Sequence, residues 1–209
     1  MERIVVTAQR VSSSDIPAAV LTKQADFLVI GAELTNDTRD SANRSSELHQ
    51  TIKEILDATK TSDGLTLAYG SDFLIPITDN NYNKVPLTND DDRKDTSSIT
   101  IYVKAALPQA ADVEGPVAKI TAFIKAAKVT GRTLIKAEED VYLSLVEPEK
   151  YRQEIIKKIV DDMTQLRATL GANCKIRITG LENRVTWERT DVSELTLYIP
   201  YEAEVTDCS

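Results

Sequence analysis

Three stretches of this chain repeat their apolar residues every three or four positions, and the segments between them read as strands. The first stripe, from about Thr38 to Thr59, carries Leu48, Ile52, Ile55, Leu56 and Thr59, with Asp37 or Thr38 placed to cap it. The second, from about Val113 to Lys128, carries Val113, Val117, Ile120, Ile124 and Ala127. Pro116 is tolerated in its first turn and Gly131 lies past its end. The third opens at Pro148, repeats Ile155, Ile159, Met163, Leu166 and Leu170, and closes at Gly171. A fully buried side chain of this kind contributes about 1.5–3 kcal/mol, so these stripes are read as core.

Strand-like segments surround the helices. Ile4–Gln9 and Phe27–Glu33 precede the first; Leu65–Thr78 and Ser97–Ala106 follow it. Thr133–Val146 and Cys174–Arg189, the latter interrupted near Gly180, come later. In the last strand Leu195, Leu197, Ile199, Tyr201, Ala203 and Val205 share one face, and Pro200 on the other marks an edge or a bulge. The expected class is α+β: predominantly antiparallel sheet with three helices packed on one side, built from duplicated β-α-β-β units at about 27–106 and 133–205. A chain of 209 residues buries roughly 70% of its extended surface, enough for one domain over 1–209 without a metal or cross-link. Residues 10–26 and 79–95 read as irregular, and 206–209 as a terminal tail.

Charge narrows the partners. Acids outnumber bases 33 to 25, for a formal charge of −8. Nucleic-acid backbones and anionic membranes are held by clustered Lys and Arg, so neither is an expected partner. No apolar run approaches the ~20 residues that cross a bilayer, and no secretory leader is visible before Ile4. A native start at Met1 would place the chain in the cytoplasm. Cys174 and Cys208 lack a Cys-x-x-Cys or histidine context; they could bridge each other, but the second lies next to the terminus, and two unpaired thiols are expected.

His49 is the sole histidine, so histidine-based triads and multi-histidine metal sites all hang on one residue at the edge of the first stripe. No nucleophile elbow, phosphate loop or dinucleotide fingerprint occurs. The expectation is a non-enzyme with no catalytic residues and no cofactor. Glu138-Glu139-Asp140 could suggest paired carboxylates, but neighbours on a strand point to opposite faces, so a solvated turn or bulge is expected. Asp79, Asn81, Asn83 and Asp90 echo the spacing of a calcium loop, with Asp91 and Asp92 as extra oxygen donors. Against that, Lys84 stands where the turn wants glycine and strands flank the segment; a solvated loop with Asn turn chemistry is the competing reading. Trp187 is expected in the core.

Several local patterns resemble the SIMPL-domain family of bacterial envelope proteins. They are Ile4-Val5-Val6-Thr7-Ala8-Gln9, Ala25-Asp26 before the second strand, Ser71-Asp72-Phe73-Leu74-Ile75-Pro76, Ser98-Ile99-Thr100-Ile101-Tyr102-Val103, and Glu147-Pro148-Glu149 before a long helix closed by Gly171. The long helix departs from the family pattern, carrying Ile and Lys where Ala is usual, and the connection after Gln9 is expanded. The resemblance implies an α+β domain, location in the periplasm or outer envelope, homo-oligomers or contacts with other envelope proteins, and a loose link to stress. It supplies no catalytic residues. The function expected is therefore non-catalytic contact, the alternative being a small-ligand or calcium module using 79–95.

Overall fold

The computed structural model describes residues 2–5 (backbone only), 16–71, 73–90, 93–107, 113–171, 174–206 and 208. The chain is α+β, with three α-helices and mostly antiparallel strands among the described residues. In order these are β1 (Glu2–Val5), β2 (Leu21–Gln24), β3 (Phe27–Asn36), α1 (Ser41–Thr59), β4 (Leu65–Tyr69), β5 (Phe73–Pro76), β6 (Thr88–Asn89) and β7 (Ser97–Ala106). They continue with α2 (Glu114–Lys125), β8 (Thr133–Val146), α3 (Arg152–Leu170), β9 (Lys175–Thr179), β10 (Thr186–Arg189), β11 (Glu194–Tyr198) and β12 (Glu202–Thr206). Two compact units result: 1–6 with 25–145, and 7–24 with 146–209. The strand at 133–146, expected to open a second β-α-β-β repeat, instead pairs with β3 along nearly its whole length.

In the first unit the strand neighbours run β3-β8-β1-β5-β4-β7, and β7 pairs back onto β3, so six strands form a closed circuit with β6 appended to β7. Closure leaves few unpaired edges. Alternation then splits each strand between two faces. Leu28, Ile30, Ala32 and Leu34 of β3 and Ile101, Val103 and Ala105 of β7 pack with Leu48, Ile52, Ile55 and Leu56 of α1 and Ile120 and Ile124 of α2. The face turned away from the helices, inside the circuit, holds Val29, Ala68, Leu74 and Tyr142, with Phe27 and Tyr102 against them.

The N-cap of α1 is Asp40, which accepts from Asn43 N–H at 2.8 Å. The expected caps serve elsewhere: Asp37 pairs with Arg132, and Thr38 donates its hydroxyl to Glu47. Glu47 also accepts from the Asn36 amide at 2.7 Å and from Arg132 N–H at 3.1 Å, tying β3, α1 and the start of β8 together. Gly131 beside it has φ 61°, and an added Cβ would lie 2.1 Å from the Glu47 carboxyl carbon, so both conformation and space call for glycine there. Arg44 is buried on α1 and satisfied by Ser97 Oγ at 2.8 Å and the Thr38 carbonyl at 2.7 Å.

In the second unit β10, β11 and β2 form one three-stranded sheet, and β12 and β9 form a separate pair. Three expectations are corrected. The segment 10–26 contains β2, while 10–15 lie outside the described residues. The terminal strand is two strands that break around Pro200 and join different sheets, because proline cannot donate to a continuing ladder. Cys174 and Cys208 are joined in a disulfide across 34 residues, with Cα atoms 4.2 Å apart. Pairing of Thr206 with Lys175 carries the tail back beside the start of β9, which brings the two sulfurs together.

Glu149 and Arg152 latch this unit at the entry to α3. Arg152 Nε sits 2.8 Å from Glu149 Oε2, its other nitrogens donate to the Leu181 and Asn183 carbonyls, and Glu149 Oε1 accepts from Val185 N–H at 3.0 Å. Glu147-Pro148-Glu149, picked out in the sequence, thus fixes a loop. Trp187 is buried, as expected of core, and Tyr198 donates to Glu188 at 2.8 Å.

Candidate functional site

The acidic triplet on β8 is a bulge. Ile30 pairs with Val141 and Ala32 with Ala137, so Glu138, Glu139 and Asp140 all stand opposite Gly31 alone. Glu139 and Asp140 are exposed, while Glu138 folds back over Gly31, where an added Cβ would lie 2.2 Å from Oε2. Tyr142 donates its hydroxyl to that oxygen at 3.0 Å, and Tyr102 meets the Tyr142 ring edge-on at 6.3 Å. Burial pushes both phenols up, and the Glu138 charge adds to each shift. A phenol raised in this way stays protonated at neutral pH, so Tyr142 acts as a donor to the carboxylate and not as a base. Lys104 lies on the same face, buried, with Nζ 4.2 Å from the Phe27 ring centre. The bulge region is a locked donor–acceptor cluster that secures the irregular stretch of β8.

The four residues with calcium-loop spacing enter separate local contacts. Asp79 is bridged by Lys60 at 3.0 Å and Lys53 at 3.3 Å, and both lysines also hold Asp57. These cations hold the carboxyls of Asp79 and Asp57 below the usual range, the largest cause being the hydrogen bonds from Lys60 and Lys53 respectively. Asn81 accepts from the Thr78 amide at 2.7 Å and donates to the Pro76 carbonyl at 2.9 Å, the Asn turn chemistry of the competing reading. Asn83 is exposed in a 3-10 turn over Tyr82–Lys84, and Asp90 accepts from Arg93 N–H at 3.0 Å. Asp91 and Asp92 lie outside the described residues. The segment is more ordered than its composition suggests, with that turn and β6 inside it. His49 pins it to α1 through Nε2 and the Val85 carbonyl at 3.0 Å. A carbonyl only accepts, so Nε2 carries the proton.

The second unit presents a different surface. Along α3, Ile155 and Ile159 are fully buried, Met163 and Leu166 are half-buried, and Leu170 is 45% exposed. The stripe read from the sequence is therefore covered at its beginning and open at its end. Val160 and Val205 are also exposed, at 49% and 42%. On the β9–β12 pair Ile176 lies opposite Val205 and Ile178 opposite Ala203, so one side of the ribbon is apolar.

A groove of 540 Å³ separates the C-terminal halves of α1 and α2, lined by Glu54, Ala58, Thr61, Phe123, Ala127 and Lys128 among others. Periodicity placed Phe123 off the buried stripe but gave no sign that it walls a groove, because the distance between two helices is set by packing. The disulfide was the disfavoured alternative, and the burial of Arg44 was missed. Arg44 falls four residues before Leu48, in line with the first stripe, and only its charge set it apart from the expected core. No protein-family model matches the chain, and no curated protein matches it either. Among the described residues no helix is long and apolar enough to cross a membrane.

Proposed function

We propose that this chain is a non-catalytic domain of the bacterial cell envelope that works by protein–protein contact, with a second copy of itself as the partner. The observation that carries the reading is the open end of the α3 stripe, where Met163 and Leu166 are half-buried and Leu170 is 45% exposed. Half-exposed aliphatic side chains in line along one helix are the kind of surface that contact sites in soluble proteins are built from. The Cys174–Cys208 disulfide lies in the same unit. Disulfides persist in oxidising compartments, which supports the periplasm or outer envelope. The sequence resemblance to SIMPL domains points the same way. Light scattering across a concentration series tests it. The expected mass exceeds the 23.1 kDa of one chain and falls to that value in Leu170→Asp with circular dichroism unchanged. A wild-type chain that stays monomeric at high micromolar concentration overturns it.

A further inference from the structure

The groove between α1 and α2 combines an apolar wall with two opposite charges that have no ion-pair partner among the described residues. Asp57 of the lining is neutralised by Lys53 and Lys60, which also hold Asp79, at distances of 2.5 to 3.3 Å. Lys119 spends its ammonium on the Asp63 carbonyl. Two charged groups in the lining remain. Glu54, on α1, accepts one hydrogen bond from the Thr130 hydroxyl at 3.2 Å and has no ion-pair partner among the described residues. Lys128, following α2, has none among the described residues either. Phe123, Ala58, Ala127 and Thr61 line the groove with them.

A volume of 540 Å³ falls inside the roughly 300–1,000 Å³ that small-molecule sites occupy. A cation alone would leave Lys128 unanswered, and an anion alone would leave Glu54 so. We propose that this groove binds a small zwitterion with an apolar side chain, a free amino acid or the ends of a short peptide, whose ammonium meets Glu54, whose carboxylate meets Lys128 and whose side chain lies on Phe123. Lys128 is exposed and Glu54 only half-buried, so solvent screening keeps each contact weak. The affinity expected is modest, with Kd of roughly 0.1–1 mM.

The test titrates the isotope-labelled full chain with L-phenylalanine, with phenethylamine, which lacks the carboxylate, and with 3-phenylpropionate, which lacks the ammonium. The Ala58 and Ala127 amide signals report binding. L-phenylalanine should shift them, with each single-charge compound at least about fivefold weaker, a loss of about 1 kcal/mol. Glu54→Gln should weaken L-phenylalanine and phenethylamine while sparing phenylpropionate, and Lys128→Gln should do the reverse. Lys128 is exposed and Glu54 half-buried, and glutamine keeps an acceptor for the Thr130 hydroxyl at 54, so both variants should fold, which their amide spectra would show. Silence of those amides at millimolar ligand, equal binding of all three compounds, or unchanged binding by both variants overturns the proposal. The groove and the α3 stripe are separate features, so failure here leaves the self-association reading untouched.

Discussion

The two units of this chain hold together by different means. In the first, strands close on themselves and bury residues on both faces, with α1 and α2 outside and an aromatic cluster inside. Polar groups there are matched across distant segments, as where Glu47 gathers Asn36, Thr38 and Arg132. The second buries only Ile155 and Ile159 fully from its long helix, and closes its tail with a covalent bond. The core of the second unit comes mainly from its sheet, where Val185, Leu195, Leu197 and Ile199 are fully buried, and the disulfide adds to that packing by restricting the unfolded chain.

Removing the disulfide should break the comparison hardest. Closure of a 34-residue separation is worth about 4 kcal/mol on chain-entropy grounds. Cys174→Ser with Cys208→Ser should therefore speed amide hydrogen exchange throughout β9 and β12 and leave the α1 amides unchanged. Loss of protection in both units alike would show that they do not differ in this way. Next in size are core truncations. Ile52→Ala and Ile159→Ala, both fully buried, should each cost about 2–5 kcal/mol by denaturant unfolding.

Gly131→Ala should cost about 1–3 kcal/mol, since it must hold a positive φ and displace the Glu47 carboxylate. A smaller effect follows from pH. The Asn36 amide, then the Arg132 N–H and the Thr38 hydroxyl, hold the Glu47 carboxyl below its usual range. A depressed acid lends stability that is present above its unfolded pKa, about 4.3, and lost as pH falls through the lower folded value. Thermal unfolding of the first unit should therefore drop on acidification below about pH 4.3, and Glu47→Gln should flatten that slope. Smallest of all, Leu170→Ala at the open end of α3 should stay within about 0.5 kcal/mol by denaturant unfolding, in contrast to Ile159→Ala on the same stripe.

The helices were legible because their signal is local. Leu48, Ile52, Ile55 and Leu56 recur at helical spacing and are all buried against the sheet. Burial along α3 was not legible to its full extent, since the same periodicity that runs through Ile155 and Ile159 runs on through Leu170, which nothing in its own unit covers fully. The acidic triplet was read as a turn or bulge from strand geometry alone, and the register against Gly31 bears this out. What that reading lacked was the partner: Tyr142 follows Glu138 by four residues, and only the bulge turns both to one place.

Taken by itself, the order of residues determined the α+β class, the three helices, most strand positions and the burial of Trp187, because periodicity and turn chemistry act over a few neighbours. Tertiary structure alone decided that β7 returns to β3, that the last strand divides between two sheets, that Cys174 meets Cys208, and that a groove opens beside Phe123. Those outcomes depend on contacts between residues far apart in the chain, whose register no local pattern encodes.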